Sequence, residues 1–197
     1  MADDVTFYFD PTCPFTWRTS RWLRAVTQPR GHTIGWKLMS LKMLNEGREL
    51  PEAYRDRVAF SIRAVRVLQA TLDSHGPEAL DRVYTEFGTR LHYQHALLDD
   101  DLLVTAIAAA DLPADLAKSA DDDGLDATIR ASHEAGQARV GQESGSPIVA
   151  IGDGPGFFGP VVVPVPEGEE AEKLYDAVRL LSSVPAFSEL KRSRAAF

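Results

Sequence analysis

Val5-Thr6-Phe7-Tyr8-Phe9-Asp10-Pro11-Thr12-Cys13-Pro14-Phe15-Thr16-Trp17 is the stretch whose reading decides the fold. Its first five residues are β-branched and aromatic, which predicts a buried strand. A helix follows over residues 13–28, through Trp17, Trp22 and Leu23, and ends before Pro29-Arg30-Gly31. Residues 33–39, Thr-Ile-Gly-Trp-Lys-Leu-Met, alternate and read as a second strand. A β-α-β start of this kind needs a parallel pairing through a right-handed crossover. Cys13 stands at the strand-to-helix junction, where unpaired N–H groups and the positive end of the helix dipole favour thiolate. The thiolate is the reactive species, so Cys13 reads as a nucleophile rather than as a small buried hydrophobe.

From Leu41 to Val140 the pattern turns helical. Pro51 opens a helix carrying Tyr54, Val58, Ile62, Val65 and Leu68, and Pro77 opens another carrying Leu80, Val83, Phe87 and Leu91. Further helices are predicted over 98–110 and 123–139, with a short one between them after the Leu112-Pro113 break. Strand character returns at Ile148-Val149-Ala150-Ile151. The turn cluster Gly152–Gly156 and Phe157-Phe158 complete an antiparallel hairpin. Residues 167–183 read as an amphipathic helix, and Pro185 as the start of a last short one. The order is β-α-β, helical block, β-β-α. It predicts an α/β, thioredoxin-like domain from residues 1–40 and 141–197, interrupted by an all-helical insertion over 41–140 that serves as a lid.

Composition narrows the function. The 197 residues carry a net charge of −8 and no long basic run, which argues against nucleic acid or an anionic membrane as partner. No apolar run approaches the roughly 18 residues of a membrane span. The acidic start lacks the basic and apolar regions of a secretion signal, and one cysteine cannot form an internal disulfide. Both predict a cytoplasmic protein. The five histidines show no ligand set, and no phosphate loop or nicotinamide or flavin fingerprint is visible. No metal, flavin or nicotinamide cofactor is therefore expected, and electrons should come from a small thiol.

Ser144-Gly145-Ser146-Pro147 lies directly before the Ile148 strand. In thioredoxin-like domains this position holds a cis-proline facing the active-site thiol, so a cis Ser146–Pro147 bond is expected. The residue before it can offer backbone N–H and C=O to a bound thiol, as a strand edge does. With these residues in view, the chain resembles the DsbA-like proteins of the thioredoxin superfamily, and most closely the mycothiol-dependent nitroreductase group of actinobacteria. Phe9–Trp17, Thr19–Leu23, Met39-Ser40-Leu41, Leu44-Asn45-Glu46, Leu50–Arg55, Ser132-His133, Phe157–Pro160 and Glu189–Arg192 carry the likeness in order along nearly the whole chain. More distant relatives are kappa-class glutathione transferases and 2-hydroxychromene-2-carboxylate isomerases.

The resemblance implies a thiol-dependent reductase using a low-molecular-weight thiol, mycothiol, on a small electrophilic or disulfide substrate; it also makes a homodimer plausible. One departure matters. The family's enzymes carry Cys-x-x-Cys, and here the second position is Thr16, with Phe15 in place of the family's Trp. A dithiol cycle is thereby excluded, leaving monothiol exchange in which Thr16 could donate its hydroxyl to the Cys13 thiolate. Cys13 and Thr16 are the candidate catalytic residues. Pro14, Phe15, Trp17, Asn45, Tyr54, Ser146, Pro147 and Gly159 are the candidate thiol- and substrate-binding residues, with Phe15, Trp17 and Tyr54 lining an apolar cleft. Asn45 reads equally as a helix cap and Tyr54 as core packing. His92, Gln94 and His133 are weaker candidates, and Phe157 and Phe158 are expected to pack the core. Two other functions stay open: a kappa-class-like transferase or isomerase that activates a bound thiol, and a redox-inactive thioredoxin-fold binding protein.

Overall fold

The computed structural model describes residues 4–142, 144–152 and 154–193. Strand β1 (Val5–Phe9) leads into helix α1 (Pro14–Thr27), a 3-10 turn (Gln28–Arg30) and strand β2 (Ile34–Leu38). β1 and β2 pair in parallel, as a β-α-β unit requires. Short helix α2 (Leu41–Leu44) is capped by the Ser40 hydroxyl, which accepts from the Lys42 and Met43 amides. Helix α3 (Glu52–Gly88) then opens the helical block. α3 breaks at Gly76, where φ is 80° and ψ 178°, a conformation glycine tolerates and Pro77 follows without a helical N–H. The non-helical Gly76 thus divides α3 into the two helices expected, with Pro77 opening the second.

A π-turn (Thr89–Tyr93), helix α4 (Asp100–Ala109) and two 3-10 stretches (Ala114–Asp121 and Asp123–Leu125) follow, then helix α5 (Asp126–Val140). Strands β3 (Ile148–Ile151) and β4 (Gly156–Phe158) form the predicted antiparallel hairpin, and helix α6 (Gly168–Ser182) comes next. The sheet order is β2-β1-β3-β4. This is the thioredoxin-like order with the helical block between β2 and β3. The last short helix expected from Pro185 is absent; residues 185–186 form a turn. Leu190 is 83% exposed, so that stretch has no apolar stripe to bury, and a short helix without tertiary packing does not persist.

Alternation along β1 decides the two faces. Val5, Phe7 and Phe9 enter the main core with Trp22 of α1, Trp36 of β2, Tyr84 of α3 and Tyr175 of α6. Tyr8 points the other way, onto α5, so closely that a Cβ at Gly136 would stand 2.8 Å from its ring. The helical block shares the main core, because Phe60, Val65, Leu80, Leu103 and Ile107 belong to the same apolar cluster as the sheet residues. Arg24 pairs with Asp81 to tie α1 to α3, and Arg66 holds Asp126 at 2.7 Å to tie α3 to α5. β1 and β3 run antiparallel with Tyr8 opposite Ile148, which carries Ser146 alongside Asp10 at the mouth of α1.

Candidate active site

The loop from β1 to α1 has every carbonyl and the Asp10 carboxylate engaged. The Asp10 carbonyl accepts from the Cys13 amide at 3.2 Å, and the Cys13 carbonyl accepts from Trp17 N at 3.0 Å, the first bond of α1. The π-turn brings His92 to the Pro11 carbonyl, with Nε2 at 3.0 Å. A carbonyl can only accept, so Nε2 carries the proton. α3 brings Arg57, whose Nη1 donates to the Thr12 carbonyl. The fully buried Asp10 carboxylate accepts on Oδ1 from the Thr12 amide (2.7 Å) and hydroxyl (2.6 Å). On Oδ2 it accepts from the Leu41 amide (2.7 Å) and the Ser61 hydroxyl. Local Asx-type geometry and two donors from the helical block therefore fix the backbone on which Cys13 stands.

Cys13 is the N-cap of α1, with φ −78° and ψ 117°, and is 4% exposed. Its thiol donates to the Ser146 carbonyl, Sγ···O 3.7 Å. Leu41 and Val58 wall it in, with half-buried Phe15, Leu44, Leu50 and Tyr54 completing an apolar pocket. The expectation of a depressed thiol pKa is overturned. Burial pushes the Cys13 thiol up, and the Asp10 charge adds to it; the Thr16 hydroxyl and the Thr16 and Phe15 amides pull it down by less. The N–H groups at the helix start do reach the sulfur. Pro14 at the first helical position supplies none, and desolvation outweighs the rest.

The Ser146–Pro147 bond is cis. Ser146 Oγ accepts from the Asp10 amide at 3.2 Å and lies 2.6 Å from Thr16 Oγ1. With Asp10 N–H already donating to it, the Ser146 hydroxyl can donate its hydrogen bond to Thr16 Oγ1, which leaves the Thr16 hydroxyl hydrogen for the sulfur. Gly159, at φ +104°, donates its amide to the Pro147 carbonyl at 2.9 Å. Pro160 accepts from Thr19 of α1 at 2.8 Å, so the β4 end braces both the cis-proline loop and the helix.

The remaining candidates divide. Tyr54 joins the Cys13 pocket, and burial with the nearby Cys13 and Asp10 charges pushes its phenol up. Asn45 closes α2, its Nδ2 donating to the Leu41 carbonyl at 2.7 Å, which is the capping role. Trp17 lines no cleft. It is 1% exposed in the main core, edge-on to Tyr84, stacked on His92 and covered by the Arg21 guanidinium 4.0 Å from its ring centre. His133 is buried and accepts from the Ser40 amide at 3.4 Å, and Gln94 is exposed. Phe157 packs against the core, but Phe158 is 42% exposed, contrary to expectation. Asp10, Ser61 and Arg57 had no signal in the sequence as candidates, because their partners lie 31, 51 and 45 residues away along the chain. Among the described residues no group of three or more His, Cys, Asp or Glu could hold a metal ion.

Comparison with known proteins now decides the family. The profile of the Rv2466c-like group, mycothiol-dependent nitroreductase Rv2466c, matches residues 12–192. The chain belongs to this Rv2466c-like family. A curated member-like relative, the uncharacterized protein Rv2286c of Mycobacterium tuberculosis, is 32% identical over 97% of this chain and 82% of its own length. Among solved structures, a putative protein disulfide isomerase from Nitrosomonas europaea superposes with TM-score 0.59 at 11% identity, covering 93% of this chain and all of its own. Proteus mirabilis DsbA with a non-covalently bound peptide gives 0.58 at 15%, covering 92% and 89%. A 2-hydroxychromene-2-carboxylate isomerase gives 0.61 at 15%, covering 90% and 93%. At such identities these structures establish the fold of this Rv2466c-like chain and nothing about its chemistry.

Proposed function

We propose that this Rv2466c-like protein is a cytoplasmic thiol oxidoreductase that works through Cys13 alone and takes its second thiol from a small molecule, mycothiol by family. One observation carries the reading. Cys13 stands at the N-cap of α1 inside an apolar pocket, facing the carbonyl that precedes cis Pro147, with Thr16 where a second cysteine would resolve the intermediate. In exchange, the Cys13 thiolate attacks a disulfide RS–SR′, forming Cys13–S–SR and releasing R′S⁻. A second small thiolate then attacks the R sulfur, yields a small disulfide and restores the Cys13 thiolate. Phe15, Tyr54 and Leu50 supply the pocket wall, Pro14 and Thr16 the helix start, and Ser146, Pro147 and Gly159 the opposing loop. Asn45 shapes the rim through α2, Trp17 holds α1 to the π-turn, and the block over 41–140 forms the lid. A small electrophile could replace the disulfide as substrate.

The test is whole-protein mass after incubation with a mycothiol mixed disulfide, together with turnover. One mycothiol adduct on Cys13, released by a further equivalent of thiol and absent in Cys13→Ser, supports the reading. Turnover that survives in Cys13→Ser means that a bound thiol is activated instead, as in a transferase. The buried, protonated thiol favours a second reading, a redox-silent binding protein. A folded protein that forms no adduct at any pH up to 9 would establish it.

A further inference from the structure

We propose that Asp10 is a positioning residue that acts on Cys13 through its charge, as a brake on thiolate formation set by the helical block. The inference rests on the reading that Cys13 does the chemistry. Asp10 is fully buried, yet it is not an ion pair: its four hydrogen bonds come from Thr12 N, Thr12 Oγ1, Leu41 N and Ser61 Oγ, all uncharged. Burial pushes the Asp10 carboxyl up, and the Ser61 and Thr12 hydroxyls with the Leu41 and Thr12 amides oppose it. The carboxylate that these donors hold keeps its field, because neither solvent nor a countercharge cancels it. Three residues on stands Cys13, whose thiol already points at a carbonyl oxygen. Ionising the sulfur sets a second negative charge against that carbonyl and against Asp10.

The other groups around the sulfur do not remove this opposition. α3 supplies the phenols of Tyr54 and Tyr84, both held protonated by burial first of all, and Arg57, whose guanidinium is committed to the Thr12 carbonyl. The π-turn supplies His92, which burial keeps neutral, and α1 supplies Arg18, whose charge is felt at His92. α2 faces the pocket with Leu41 and Leu44, and residues 144–147 carry no charge. Ser61 and Leu41 both belong to the block that encloses the pocket, so the grip on Asp10 and the cover over Cys13 come from the same elements. Leu41 N also bonds Ser61 Oγ at 3.0 Å and keeps a partner if Asp10 is altered.

The experiment follows the thiolate absorbance near 240 nm against pH in Asp10→Asn and wild type. Asp10→Asn should lower the Cys13 midpoint, and each pH unit of that fall raises the thiolate fraction at pH 7 about tenfold. Thr16→Val, which removes a group that pulls the thiol down, should move the midpoint the opposite way. A folded Asp10→Asn with an unchanged or higher midpoint overturns the proposal, and so does a fall in both variants, which indicates loosening. Should Asp10→Asn not fold, the Asp10 carboxyl carbon resonance is followed in wild type. A step coincident with Cys13 ionisation supports the coupling, and a flat signal overturns it. Neither measurement needs turnover, so failure of mycothiol exchange and failure of the brake are separate outcomes.

Discussion

His92 should make this protein acid-sensitive through the loop that carries Cys13. Burial pushes its imidazole down to about 4 from 6.5, while the bond to the Pro11 carbonyl opposes the fall. A group depressed in the folded state contributes stability that is present above its unfolded pKa and is lost as pH falls through the folded one. The window therefore opens near pH 6.5 and closes near pH 4. The gap is worth about 3 kcal/mol in full, and about 2 kcal/mol of that is lost by pH 5. For a chain of this length that corresponds to roughly 4–8 °C in Tm. The control is His92→Gln, whose amide N–H can still reach the Pro11 carbonyl but does not titrate. Thermal unfolding of both proteins from pH 7 to pH 5 should show wild type falling more steeply by that amount. His133, also pushed down by burial, contributes equally to both curves and cancels. Parallel curves across the window would refute the reasoning, because they would mean that His92 protonates as freely in the folded protein as in the unfolded one.

Gly88→Ala should destabilise by about 3 kcal/mol, at the upper end for overpacking, since the new Cβ would stand 2.2 Å from two ring atoms of Trp17. Gly145→Ala, which meets the movable Leu44 Cδ2 at 3.3 Å and Phe158 Cε2 at an ordinary 3.8 Å, should change the urea midpoint little. Alkylation of native Cys13 by iodoacetamide at pH 7 should be slower than that of a free thiol, of which about 3% is thiolate. Its rate should keep rising beyond pH 9, because burial first and Asp10 next push the thiol up. A plateau already at pH 7 contradicts this.

The fold was legible where one short segment carries its own signal. Val5–Phe9 and Ile148–Ile151 are runs of strand formers and occur as strands over those residues. The cis bond at Ser146–Pro147 was expected from its place before β3 and is present. Trp17 was misread because an aromatic near a reactive thiol looks the same in sequence whether it faces a pocket or the core. Only Gly88, 71 positions later and lacking a side chain, makes room for it inside. Phe158 fails the other way, since it ends β4, an edge strand only three residues long.

The same limit explains the thiol. A helix N-terminus is a local property, and it argued for a thiolate at Cys13. Desolvation is a property of everything packed around the sulfur, and Leu41, Val58 and Leu50 arrive from a block whose position over the pocket is fixed by tertiary contacts. The two effects oppose each other, and burial is the larger. A high thiol pKa does not disqualify a nucleophile: once ionised, such a sulfur is intrinsically stronger than an acidic one. What it demands is an event that supplies solvent or donors to Cys13 at the moment of reaction. The bound substrate can be that event, since the Ser146 carbonyl that now accepts the thiol proton is the backbone group a partner strand or thiol would occupy. A ligand that takes that carbonyl frees the sulfur from one of the contacts holding it protonated, so reactivity at Cys13 should appear with the substrate and not before it.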